Sequence, residues 1–189
     1  VGCYILGRDV IRITSSGRIE KNKVDEVRKI VRKLIGLGII EETPKSILLQ
    51  CSVDAVKFKI DMLIRRLSII ASTILSEAMQ ALLQRDDTLA KEAINREDEA
   101  DTIYYLAVRL LLSAQTRSDI AEQIGATDII FIPAMRLMLQ SLELISDYSE
   151  DIAKRIIELQ DLKKELASDV LEKIYHFGDL AQTVFQKAV

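Results

Sequence analysis

After residue 53, apolar side chains recur at alternating steps of three and four residues through most of the chain. The first such seam consists of Val56, Ile60, Leu63, Leu67, Ile70 and Ile74. This spacing places side chains along one face of an α-helix. The 189 residues include 7 Gly and 2 Pro, too few turn residues for an all-β sandwich. The pattern therefore predicts a mainly α protein built from long helices.

Three more helices are predicted after the first. Asp86-Asp87-Thr88 supplies an N-cap for a second helix that reaches about Gln115 and carries Ala93, Ala100, Ala107 and Ala114. The third has the seam Met135, Met138, Leu142, Ile145, Ser149, Ile152, Ile156 and Leu159, with Pro133 within its first turns. Asp161 is predicted to open a fourth, through Val170, Ile174, Phe177, Leu180 and Val184. Short connections make neighbouring helices antiparallel, so we predict an up-down bundle.

The first 52 residues predict a small α+β unit. The runs 4–6 and 10–14 favour strands because they are rich in β-branched and aromatic residues. Residues 22–37 predict a helix that ends at Gly36 or Gly38. Residues 39–42 and 46–51 predict two strands around a turn at 43–45. Cys3 and Cys51 are interpreted as buried thiols of a cytoplasmic protein.

Several classes of function lack support in the composition and motifs. The net charge of −3 gives no global attraction to DNA or anionic lipid. The longest purely apolar run, Ile129 to Met135, is far shorter than the roughly 20 residues needed to cross a bilayer, so no membrane insertion is expected. No phosphate-binding glycine loop or nucleophile motif occurs. A di-iron bundle needs inward Glu-x-x-His pairs, whereas the chain has one histidine, His176. We predict that the protein is not an enzyme.

Two acidic clusters are the candidate binding residues. Glu97, Asp98, Glu99 and Asp101 lie on the second helix, and the third carries Glu143, Asp147, Glu150 and Asp151. Both contain Glu-x-x-x-Asp, whose side chains lie about 5–6 Å apart on one helix face. The predicted seam places Glu143 and Asp147 pointing away from the core. Carboxylates without nearby His or Cys suit Mg, Mn, Ca or oxygen-ligated iron. The alternative is a solvated acidic face without a ligand.

A basic helix in the N-terminal unit is the second candidate surface. Helical spacing places Arg28, Lys29, Arg32 and Lys33 opposite the apolar face. The functional interpretation is contact with an acidic partner or a DNA backbone. The alternative is a solvated face.

The acidic helices resemble those of a PhoU repeat. Ser141-Leu-Glu143-Leu-Ile-Ser-Asp147, followed by Tyr148 and Ile152-Ala153, is similar to the family's L-E-R-I-G-D-H-A-x-x-I-A motif. Asn95-Arg-Glu97-Asp-Glu-Ala-Asp101 resembles the motif of the preceding helix. This chain departs from the pattern at Leu144, Ser146 and Tyr148, where the family has Arg, Gly and His. The resemblance implies an antiparallel PhoU-like helical bundle over 53–160, with 161–189 opening a second, truncated repeat.

The N-terminal unit, 1–52, looks like the connector of archaeal PhoU-like proteins, in which an AbrB-type DNA-binding domain commonly lies upstream. Such a domain is absent from this chain, and DNA contact through it would need that missing segment.

The resemblance implies a cytoplasmic regulator of phosphate uptake that binds metal ions and does not catalyse a reaction. Carried over by residue, its metal ligands would be Glu97, Asp101, Glu143 and Asp147, with Asp98 and Glu150 as further ligands. The metal would be Fe, Zn, Mn or Mg. The implied partners are a phosphate ABC transporter or a signalling kinase, and a homodimer is expected. Two rival hypotheses remain: the effector or dimerisation domain of a transcription factor, and a helical interaction module without metal.

Overall fold

The computed structural model describes residues 1–161 and 167–188. Its elements in chain order are α1 (Gly2–Ile5), β1 (Val10–Thr14), α2 (Lys21–Lys33), β2 (Leu37–Thr43), β3 (Ser46–Cys51), α3 (Ile60–Gln84), α4 (Asp87–Ala114), α5 (Ser118–Ile124), α6 (Ile132–Asp161) and α7 (Ser168–Ala188). They form two compact units: Val1–Leu63 with Thr102–Leu137, and Ile64–Asp101 with Met138–Val189. The prediction of a mainly α chain with a small N-terminal α+β part is confirmed.

The first unit contains a three-stranded antiparallel sheet in the order β1-β3-β2. All three strands were predicted. The turn between β2 and β3 is closed by Thr43, whose Oγ1 accepts a hydrogen bond from the Ser46 backbone N–H at 3.0 Å. A hydroxyl that closes a tight turn in this way favours a hairpin at the predicted position.

The strand predicted at 4–6 is wrong, because this segment forms the short helix α1. Tyr4 is fully buried, and its hydroxyl donates to the Ile35 carbonyl at 2.9 Å. Tyr4, Leu34 and Cys51 form a buried hydrophobic cluster. The long-range hydrogen bond of Tyr4 therefore outweighs the local β propensity of the run. The prediction that both cysteines are buried is wrong for Cys3, which is exposed.

Helix α2 ends four residues earlier than predicted. Leu34 already has extended backbone angles and a buried side chain. Gly36 has φ of +78°, and a Cβ there would lie 2.9 Å from the Ser52 carbonyl oxygen. This position needs glycine because its positive φ and the nearby backbone of Ser52 both disfavour a side chain.

Helix α3 carries the predicted seam except at its first position. Ile60, Leu63, Leu67, Ile70 and Ile74 are all buried. Val56 instead lies in a 3₁₀ turn, Ala55–Lys57, and is 60% exposed. The extended backbone at Phe58 separates this turn from α3, so Val56 cannot continue the helical seam.

The predicted caps and alanine seam of the other long helices are largely confirmed. Asp86 Oδ1 accepts from the backbone N–H of Thr88 at 2.8 Å, as expected of an N-cap. The four alanines of α4, from Ala93 to Ala114, are all buried. Pro133 is the second residue of α6. The predicted helix start at Asp161 is wrong, because Asp161 is the last residue of α6; residues 162–166 lie outside the described residues.

In the second unit α3 and α4 pack antiparallel. Arg96 of α4 pairs with Glu77 of α3 at 2.7 Å, and Glu99 of α4 pairs with Arg66 of α3 at 2.6 Å. Residue numbers therefore increase along α3 as they decrease along α4, so the two helices run in opposite directions. Helix α7 also packs on α3, where Gln182 donates to Ser72 Oγ at 2.7 Å.

Two helical segments among the described residues are long and apolar enough to cross a membrane: Ile60–Gln84 and Ile129–Leu159. In the most apolar stretch of the first segment, 56% of the residues are buried inside the protein, compared with 22% in the corresponding stretch of the second segment. Length and composition alone do not distinguish such segments from the core helices of soluble proteins.

Candidate metal-binding face

The predicted acidic residues all belong to the second unit. We call Glu97, Asp98, Asp101, Glu143, Asp147 and Glu150 the acidic face. Asp98 is exposed, and the other five are half-buried. The prediction that Glu143 and Asp147 point away from the core is therefore wrong.

The buried stripe of α6 explains this difference. Within the second unit, its buried residues are Leu139, Leu142, Ser146, Ser149, Ala153 and Ile156. Met138, predicted to lie in the seam, is exposed, whereas Ser146 is buried. Ser146 Oγ donates to the Leu142 carbonyl of its own helix at 3.2 Å, so the hydroxyl is satisfied without leaving the core. The seam is rotated relative to the apolar pattern, which brings Glu143 and Asp147 to its edge.

The same edge position recurs on α4. Glu97 follows the buried Ala93 by four residues, and Asp101 directly follows the buried Ala100. On α6, Glu143 follows the buried Leu139 by four, and Asp147 directly follows Ser146. Both Glu-x-x-x-Asp motifs therefore flank their seams in the same way.

The charge of an aspartate in the α4 motif influences the pKa of an aspartate in the α6 motif. Burial raises the pKa of Asp147, and the charges of Asp101 on α4 and of Glu150 and Asp151 on α6 raise this pKa further. Lys154 opposes the shift. The face is thus a group of carboxylates whose mutual repulsion is only partly compensated.

Lys154 is a cation of this face that the sequence analysis missed. Its Nζ lies 2.6 Å from a carboxylate oxygen of Glu150, whose side chain is 17% exposed. The hydrogen bond from Lys154 to Glu150 raises the pKa of Lys154, and the charge of Glu97 on α4 contributes in the same direction. Because it lies four residues after Glu150, its ion pair could have been predicted from helical spacing.

The donor set suits a hard cation better than zinc. Every side chain of the acidic face offers carboxylate oxygens, which Mg²⁺, Mn²⁺ and Ca²⁺ prefer, whereas zinc favours nitrogen and sulfur ligands. Within residues 1–161 and 167–188, no three His, Cys, Asp or Glu side chains converge closely enough to hold a metal ion. A cation bound here would therefore require carboxylate side chains to change rotamer.

Asp147→Asn is expected to stabilise the protein at neutral pH. Because the pKa of Asp147 is higher in the folded than in the unfolded state, the folded protein binds this proton more tightly. Stability therefore falls as pH rises from the unfolded pKa through the folded pKa. The variant should gain a few tenths of a kcal/mol at pH 7, measured by urea denaturation.

The gain from Asp147→Asn should disappear near pH 3, where the carboxyl group is protonated in both states. Asp151→Asn is the control, because its side chain is 69% exposed on the same helix and should give a smaller gain. A loss of stability in Asp147→Asn at pH 7 would contradict the assignment of repulsion to this face.

The predicted basic residues of α2 have different environments. Arg28 pairs with Glu42 of β2 at 3.0 Å and with Asp25 at 3.5 Å. Lys29 and Arg32 are exposed, and Lys33 is half-buried.

A buried arginine on α4 was also missed by the sequence analysis. Arg109 is 5% exposed, and its Nη1 donates to the carbonyls of Tyr4 at 2.7 Å and Arg8 at 3.1 Å. Its Nη2 contacts the Asp9 carboxylate, and its guanidinium lies 4.9 Å from the centroid of the Tyr4 ring. The only local indication was a single charge within the apolar run 106–112.

The comparisons with known proteins give one match. Residues 64–156 match the PhoU domain family. No curated protein and no solved structure matches the chain. The matched segment includes every residue of the acidic face, while the N-terminal sheet and α7 lie outside it.

Proposed function

We propose that this chain, which carries a PhoU domain at residues 64–156, regulates phosphate transport by metal-dependent protein–protein contact. The observation that carries the proposal is the position of both Glu-x-x-x-Asp motifs inside that domain. The negative charge of Asp101 in the first motif contributes to the raised pKa of Asp147 in the second. The activity is binding without turnover. The proposed setting is the cytoplasm, where the partner is a phosphate ABC transporter or a signalling kinase.

The proposed mechanism is a change of surface charge. Without a cation, the acidic face repels anionic partner surfaces and disfavours like-charged contacts. A divalent cation held by Glu97, Asp101, Glu143 and Asp147 neutralises part of this charge and offers open coordination positions to a partner's carboxylate or phosphate. Asp98 and Glu150 are further ligands in this proposal, and Glu150 would have to release Lys154. Mn, Mg and Fe fit the oxygen donors better than Zn.

A homodimer is part of the proposal. Helix α7 presents exposed apolar side chains at Val170, Ile174, Phe177 and Val184. Their spacing of three, four and seven residues forms one stripe on the helix. A second copy that packs on this stripe would remove it from water.

Phosphate accumulation tests the proposal directly. The chain is expressed in a host that lacks its own regulator of phosphate uptake, and entry of radiolabelled phosphate is measured. Wild type should reduce the uptake rate, and Asp101→Asn/Asp147→Asn should lose this repression. The control is Glu122→Gln/Glu172→Gln, which removes the same charge from exposed positions and should repress like wild type. Equal repression by all three proteins would refute the role of the acidic face.

A further inference from the structure

The N-terminal segment has the opposite charge to the rest of the chain. Residues 1–45 contain ten Lys and Arg against six Asp and Glu, whereas residues 46–189 contain sixteen against twenty-three. The net charge of −3 for the whole chain therefore conceals a cationic region within the first unit. A local cationic surface attracts polyanions even where the global charge does not.

Half of these ten basic residues lie on one side of α2. In this helix of 13 residues, five basic side chains lie on the side opposite the apolar positions. We call these five side chains the basic face: Lys21, Arg28, Lys29, Arg32 and Lys33. The polar residues Asn22 and Asp25 share this side of the helix. No apolar residue of α2 projects among them.

The central cations of the basic face are accessible. Arg28 is engaged by Asp25 and Glu42, and Lys23, outside the face, is engaged by Glu26 at 3.1 Å. Within the part of the chain that the structure describes, Lys29 and Arg32 have no carboxylate within ion-pair distance. Both are exposed, so they can meet a ligand without losing an internal contact.

A cleft extends the cationic surface beyond the helix. It has a volume of about 650 Å³ and is lined by Arg18, Lys21 and Arg28 together with Glu20, Glu42 and the β2–β3 turn. Lys45, in that turn, is exposed. The cations thus continue from the outer side of α2 to the tip of the hairpin.

The chemistry of this surface favours duplex nucleic acid over other polyanions. Residues 5–57 contain no aromatic side chain, so the surface cannot stack the bases of a single strand. The basic face also lacks the Trp, Tyr or apolar anchors that dominate protein–protein affinity. Contact with the phosphates of a duplex needs neither feature. An α-helix with its side chains is about 10–12 Å across, so α2, about 20 Å long, fits lengthwise in a major groove about 12 Å wide.

We propose that the basic face of α2 binds the phosphate backbone of double-stranded nucleic acid without reading its sequence. This inference concerns the first unit and rests on charge and exposure there, so it is independent of the proposed role of the acidic face. It requires no domain upstream of this chain.

Fluorescence anisotropy with a labelled 24-base-pair DNA duplex of mixed sequence tests the proposal. At 50 mM salt, Lys29→Gln/Arg32→Gln should weaken binding about tenfold, and the slope of log K against log salt should fall by about 1.8 because two phosphate contacts are lost. The control is Arg65→Gln/Lys91→Gln, which removes the same charge at exposed positions of the second unit. It should leave both quantities unchanged.

Three results would overturn the proposal. The first is no rise in anisotropy with about 100 µM wild-type protein at 50 mM salt. The second is an equal loss of affinity in both double variants, which would indicate attraction by general charge alone. The third is self-association in sedimentation that Lys29→Gln/Arg32→Gln abolishes, which would assign the basic face to a second copy of the chain. Circular dichroism should show wild-type helix content in both variants, since the replaced side chains are exposed.

Discussion

Arg109→Met should lower the free energy of unfolding by about 3 kcal/mol, because it removes the hydrogen bonds of a buried, charged donor. The Arg109 guanidinium supplies hydrogen bonds to the carbonyls of Tyr4 and Arg8, which fix the turn after α1. A methionine fills a similar volume and keeps the apolar contacts, but it has no N–H group. The Tyr4 carbonyl keeps a hydrogen bond from the Gly7 N–H at 3.0 Å, so the cost comes from the lost bonds of the charged guanidinium, about 1.5–3 kcal/mol each. The cation–π contact with Tyr4 is lost as well.

Urea denaturation of wild type and Arg109→Met measures this effect. Arg109→Lys should fall between the two, because an ammonium keeps the charge but cannot reach all the acceptors that the planar guanidinium joins. Arg65→Met is the matched control on α3, where the exposed side chain should change stability by less than about 0.5 kcal/mol. Asp9→Asn should also have a small effect, because the Asp9 side chain is 60% exposed. Arg109→Met as stable as wild type would show that the hydrogen bonds of Arg109 contribute little.

Manganese is expected to stabilise wild-type protein by about 2.7 kcal/mol at a concentration of 100 Kd, because it binds only the folded state. Mn²⁺ is the probe because it accepts carboxylate oxygens and matches the donors of the acidic face. Asp101→Asn/Asp147→Asn should lose this stabilisation almost completely, since it removes one carboxylate of the acidic face from α4 and one from α6, where the charge of Asp101 raises the pKa of Asp147. The same variant should be slightly more stable than wild type without metal, because the repulsion is removed.

Thermal unfolding with and without MnCl₂ separates these effects. Glu122→Gln/Glu172→Gln should gain as much from manganese as wild type does. Equal manganese stabilisation of wild type and Asp101→Asn/Asp147→Asn would place the cation elsewhere on the chain.

The helices of this protein could be predicted because their seams are long and regular. The seam from Ile60 to Ile74 and the four alanines of α4 are buried as their spacing requires. The predicted seam of α6 was correct at Leu142, Ser149 and Ile156, but it included the exposed Met138 and missed the buried Ser146. Apolarity is an incomplete guide to burial here, because the Ser146 hydroxyl donates to the Leu142 carbonyl one turn earlier in its own helix and can therefore be buried.

The features that depend on distant residues could not be predicted. The segment containing Tyr4 has the composition of a strand, but its hydroxyl bonds to Ile35, 31 residues away. Arg109 lies in an apolar run, and its partner carbonyl on Tyr4 is 105 residues away. Neither contact can be recognised from the spacing of neighbouring residues, because a hydrogen bond between residues distant in sequence produces no periodic pattern.

The membership of the acidic face could be predicted, while its environment could not. Helical spacing places Glu143 beside Asp147 and Glu97 beside Asp101. The burial of these pairs depends on how α4 and α6 pack. The predicted α6 seam was wrong at Met138 and Ser146, so it could not place the pairs correctly. The raised pKa of Asp147 is the physical consequence of that packing.

Metal content after loading tests the central claim most directly. The purified chain is incubated with Mn²⁺, Mg²⁺ or Fe²⁺, passed through a desalting column and measured by elemental analysis, alongside Asp101→Asn/Asp147→Asn and Glu122→Gln/Glu172→Gln. We predict near-stoichiometric metal in wild type and in the second variant, and metal at the level of the buffer in the first. Wild-type protein without metal after all three incubations would contradict the account and identify the acidic face as a solvated or partner-docking surface.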